Sequence, residues 1–189
     1  MQRVGSDSAE TLVQAGARAL ARPEEGAGPA HRERLAALSR VAEEASPSDF
    51  VTSLADAAPA LLGYLLSFEL EGAPPGFLRA YSGDAFCRFL HTLEVTPRPV
   101  SGSVLEIGAN PYLFHLLLRA IFPKASLVGS NFFDHDIFST RVGRARHCLR
   151  SPQLREALEF DFLTFNLETV HPYPFPSSSF DLVYFCETL

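Results

Sequence analysis

The chain of 189 residues has no tryptophan, one methionine and three cysteines. Cys87, Cys148 and Cys186 lie far apart, without the paired spacing of a zinc site, and an odd number excludes a fully paired disulfide framework. The expected setting is therefore reducing and cytoplasmic. Lysine is nearly missing too, Lys124 being the only one, and the net charge is −6. Such an acidic balance argues against a general nucleic-acid binder and against binding to an anionic membrane surface. Long apolar runs are absent: Ala57 to Leu70 is interrupted by Pro59, Gly63 and Glu69, and the polar start at Met1 to Ser8 carries no signal-peptide core. Glycine is too sparse after any apolar run to make a Gly-x-Gly-x-x-Gly cradle, which excludes a pyrophosphate dinucleotide site. No phosphate loop or nucleophile elbow occurs either.

What is present divides near residue 96. The first region, residues 1–96, reads as a helical lead. Ala9 to Ala21 is alanine-rich, and Pro23 to Pro29 is a link broken by glycine and proline. His31 to Ala45 puts Leu35, Leu38, Val41 and Ala42 on one stripe. Ser48 or Asp49 is expected to cap the next helix, Phe50 to Leu70, with a break near Pro59. A loop, Gly72 to Gly76, precedes a last helix, Phe77 to Leu93. These apolar stripes fit a packing cap on the C-terminal half of the chain, or a lid over a ligand site with Tyr81 facing the ligand.

From Pro97-Arg98-Pro99 strands alternate with helices, so residues 97–189 predict an α/β unit with a parallel sheet. The expected strands are Ser103 to Ile107, Ser126 to Ser130, Phe160 to Phe165 and Phe180 to Cys186. The last is apolar on both faces, as a buried parallel strand is. The arginine-rich segment Phe138 to Leu149 reads as helical or irregular, and Asn166 to Ser179 as a stiff loop rich in proline and aromatic residues. The strand Ser103 to Ile107 carries Glu106 and runs through Gly108 into the apolar helix Leu113 to Phe122, a strand–turn–helix entry at which a backbone passes close to a ligand.

Val104-Leu105-Glu106-Ile107-Gly108 resembles the first motif of class I S-adenosylmethionine-dependent methyltransferases, and Phe180 to Glu187 resembles their fourth strand. The resemblance covers Ser101 to Leu189 and implies a Rossmann-like sheet of about four strands in the order 3-2-1-4, truncated after strand four. It implies S-adenosylmethionine as cofactor, and methyl transfer to an oxygen or nitrogen of a small molecule or glycan. It assigns the methionine end of the cofactor to Glu106, Gly108, Ala109 and Asn110, the ribose to Asn131, and the adenine to Phe132, Asn166 and Leu167. Cys186 would stand at the methyl-donor end, with Glu187 as candidate general base. Three asparagines depart from the family: Asn110 replaces a glycine, and Asn131 and Asn166 replace acids. These departures, with the stop at Leu189, support an alternative: a non-catalytic half-methyltransferase module used in binding or assembly. Either way an apolar fourth strand is expected to be covered by a second copy, a partner chain or further sequence. Asp134-His135-Asp136 invites a metal reading, but three neighbouring residues cannot all face one ion, and no metal site is expected.

Overall fold

The computed structural model describes residues 6–21, 29–109, 112–132 and 136–185. The helical lead consists of α1 (Ser6–Ala21), α2 (Pro29–Glu44), α3 (Pro47–Leu66) and α4 (Phe77–Val95), with a two-residue strand, β1 (Glu69–Leu70), before α4. The cap of α3 is Ser46, two residues ahead of the expected position, and its hydroxyl accepts from Asp49 N–H at 3.3 Å. Pro59 does not break α3, which packs against α1, α2 and α4. Burial of Leu54, Leu61 and Leu65, each worth about 1.5–3 kcal/mol, outweighs one missing backbone donor.

Beyond residue 97 come β2 (Ser103–Ile107), α5 (Leu113–Ile121), β3 (Ser126–Asn131), β4 (Gly143–Ser151), β5 (Glu156–Thr164) and β6 (Leu182–Phe185). They form one mixed sheet in the order β1-β4-β5-β3-β2-β6. The stretch β5-β3-β2-β6 is parallel throughout and reproduces the expected order 3-2-1-4. The architecture is α/β and Rossmann-like, with a helical N-terminal part. One expectation fails: the arginine-rich segment is not helical but becomes β4, antiparallel to β5, with β1 added outside it. Arg144, Arg146 and Arg150 fall on alternate positions and point to solvent, while Leu149 is buried, so the period is that of a strand. The third expected strand also begins earlier, at Glu156, because Leu158, Phe160 and Phe162 continue the inward-facing set.

The helices lie on one side of the sheet. α5 packs on β3 and α2 packs on α5, while Phe114 of α5 meets Tyr184 of β6 edge-on at 5.2 Å. A single buried cluster runs from Leu12 in α1 to Tyr184 in β6, so the lead and the sheet share one core. Gly129 of β3 leaves room for a ring: a Cβ there would lie 2.3 Å from Phe162 Cε1. No helix among the described residues is long and apolar enough to cross a membrane.

Candidate functional site

A cleft of about 380 Å³ opens at the carboxyl ends of β2, β3 and β5. In an open α/β sheet this is where loops diverge and leave a crevice. Its walls come from Ile107 and Gly108 after β2, from Ser130 to Phe132 at the end of β3, and from Phe165 to Glu168 after β5; Ile137 closes one rim. A second, smaller cavity of about 200 Å³ lies at the β1–α4 loop, away from the strand ends.

The turn after β2 is locked onto β3. Gly108 has φ 77°, which costs little without a Cβ, and its N–H and that of Ala109 both donate to Ser130 O, at 2.9 and 3.1 Å. Tyr112 then caps α5 with φ 76°, a left-handed conformation that costs a non-glycine residue about 1–2 kcal/mol. Its ring is gripped by Phe162 at 4.5 Å and His147 at 5.2 Å, and it stacks on Phe160. Among the described residues the hydroxyl has no hydrogen-bond partner, and burial pushes its pKa well above the ordinary phenol value.

Glu106 does not line the cleft. Its side chain faces α5 and is only 3 % exposed, with Oε2 at 3.0 Å from His115 Nδ1. The histidine is equally buried and lies edge-on to Phe160 at 5.0 Å. His115 was not anticipated from the sequence. The available signal was a single polar residue inside the apolar run Leu113 to Leu118, close after a buried strand containing an acid.

The expected adenosine side is brought together more closely. Asn131, Phe132, Asn166 and Leu167 all line the cleft. Asn131 Oδ1 accepts from Phe132 N–H at 2.7 Å, which leaves its NH₂ group as the polar function available to a ligand. Asn166 is a loop builder: Nδ2 donates to Ile137 O at 2.7 Å and Oδ1 accepts from Glu168 N–H at 2.9 Å. Glu168, two residues on, is exposed and contributes a carboxylate to the same cleft. Tyr81 lies on α4, half-buried against the core, and is not part of the cleft wall. Asn110, Cys186 and Glu187 lie outside the described residues, as do Asp134 and His135; among the described residues no cluster of three metal-binding side chains occurs.

Scans against protein-family models, curated proteins and solved structures found no match.

Proposed function

We propose that the cleft binds S-adenosylmethionine and that the chain carries the cofactor site of a methyltransferase acting on an oxygen or nitrogen of a small molecule or glycan. The observation that carries this reading is the position of the cleft. It lies at the carboxyl ends of three adjacent parallel strands in the 3-2-1-4 order, directly after Val104-Leu105-Glu106-Ile107-Gly108. The donor set fits a nucleoside. Ile107, Phe132 and Leu167 offer apolar walls to a flat ring, while the Asn131 amide and the Glu168 carboxylate offer a donor and an acceptor. When bound, the cofactor supplies an activated methyl group. The chain's own part is to hold the nucleoside, to keep water from it, and to present the donor end to an acceptor in line. Glu187, following β6, is the residue suited to take a proton from that acceptor. Cys87 and Cys148 are free thiols, which fits a cytoplasmic setting.

One set of contacts favours the non-catalytic alternative. The Glu106 carboxylate is held by His115, the Gly108 and Ala109 N–H groups by Ser130, and both ends of the Asn166 amide by its own loop. A binding module needs only the nucleoside half of the cleft. Calorimetric titration with S-adenosylmethionine decides the cofactor. Binding in roughly the micromolar range, weakened about tenfold by Asn131→Ala, is expected. A folded chain that takes up no S-adenosylmethionine overturns the proposal. Equal binding of S-adenosylmethionine and 5′-methylthioadenosine, which lacks the amino-acid group, selects the module over the enzyme.

A further inference from the structure

Residues 136–142 lead into β4 beside the cleft, and Ile137 is the one among them that lines it. The rim is held in place by several hydrogen bonds. Phe138 N–H donates to Asp136 Oδ1 at 3.0 Å, Ser139 N–H donates to Asp136 O at 2.9 Å, and Thr169 Oγ1 donates to Ser139 O. Together with the Asn166–Ile137 bond, these tie it to the loop after β5.

On this frame Ile137, Phe138 and Val142 stand 63 %, 77 % and 48 % exposed. One exposed apolar side chain needs no explanation, but three on one anchored rim beside a cavity form a patch. Arg141 and Arg144 flank them, both exposed, and neither makes an ion pair among the described residues. Further along β4 the pattern changes: Arg146 pairs with Asp161 at 2.7 Å and Arg150 with Glu71 at 3.3 Å. An acidic chain has thus set two arginines that close no ion pair among the described residues beside this exposed apolar rim, Arg144 within electrostatic reach of Asp161 and Arg141 apart from it.

We infer that the rim, residues 137–144, docks an anionic amphiphile, an apolar body ending in one carboxylate, with the body on Ile137, Phe138 and Val142 and the head on Arg141 and Arg144. The charge pattern also sets direction. Glu168 inside the cleft repels a carboxylate, so the head stays at the arginines and the opposite end of the molecule faces the cleft. This docking does not rest on the proposed function.

The chain has no tryptophan, so Phe138→Trp provides a sole indole reporter on the rim. Titration of that variant with monomeric octanoate is expected to give a saturable blue shift at an affinity at least about fivefold above that for 1-octanol. Adding Arg141→Gln and Arg144→Gln should remove the preference for octanoate and leave the octanol response unchanged. No shift with octanoate, or equal affinity for acid and alcohol, overturns the inference. A shift seen only with phosphatidylglycerol vesicles also overturns it, in favour of a membrane surface. Calorimetry with S-adenosylmethionine on the same variant separates the two proposals. Cofactor binding without octanoate binding sinks the docking inference alone, whereas octanoate binding without cofactor binding upholds docking and sinks the proposed function alone.

Discussion

A carboxylate taken out of water needs a counter-charge or donors, and for Glu106 that partner is His115, at 3.0 Å within the core. Removing one member of such a pair leaves the other buried without its partner. His115→Leu is therefore expected to lower stability by about 3–5 kcal/mol, whereas Glu106→Leu combined with His115→Leu should cost distinctly less. Urea denaturation of both single variants and the double variant reads this directly, and a double variant whose loss equals the sum of the two single losses would show that the two groups are not coupled. His147 makes a second residue-scale claim. Packed on Tyr112 and Phe162, its imidazole is held below the usual value of 6.5 by loss of solvation. The unfolded chain then takes up the proton first as pH falls, so the contribution of His147 to stability is intact above 6.5 and lost as pH drops through its folded value. His147→Phe keeps a ring in the cluster and should show a smaller loss of Tm between about pH 7.5 and about pH 5.5 than the parent chain. An equal loss in both would place the acid sensitivity elsewhere. Neither histidine was legible in the sequence, because each finds its partners through tertiary packing and not through spacing along the chain.

At the scale of elements, legibility followed the covering of each strand. β2 announces itself as an apolar run because a parallel strand in the middle of a sheet is buried on both faces. β6 is as apolar but does not meet the expectation of burial on both faces: it stands at the end of the sheet, with Val183 and Phe185 exposed. The helix Leu113 to Ile121 buries Leu113 to Leu118 and Ile121 and turns Arg119 to solvent. β4 was misread because its outward face carries arginines and no helix covers it, so the composition drew attention away from the alternation of Arg144, Arg146 and Arg150. The expected break at Pro59 failed for a different reason. Helix propensity is a weak prior, and the neighbours of α3 on three sides override it. The cost of that proline is still present, since Pro59 has no N–H to offer the carbonyl four residues earlier. Pro59→Ala should accordingly stabilise the chain by about 1–2 kcal/mol, the helical gain exceeding the loss from a more flexible unfolded state. Thermal or urea unfolding tests it. A destabilised variant would mean that the ring of Pro59 contributes more by packing than its missing N–H costs.

The whole molecule has its helices on one face of a six-stranded sheet, and that arrangement decides which surfaces remain open. Toward β1 the uncovered face is closed by charge, through Arg146 with Asp161 and Arg150 with Glu71. Toward β6 it is not. Among the described strands β6 pairs only with β2, and its outward side chains Val183 and Phe185 are 43 % and 60 % exposed. A flat apolar strand with an unpaired edge is a template for pairing with another chain, and charged side chains are the usual protection against it. The apolar character of the fourth strand was legible from its composition, but the pairing state of its edge was not, because an edge records only that a strand is acceptable there. Val183→Lys combined with Phe185→Lys should therefore suppress self-association without unfolding the chain, since both side chains give up little buried area. Sedimentation velocity over a rising concentration series is the measurement. The parent chain is expected to shift to larger species while the double variant stays monomeric. A parent chain that remains monomeric throughout would show that this edge is already protected, and that the open apolar strand does not act as a pairing surface.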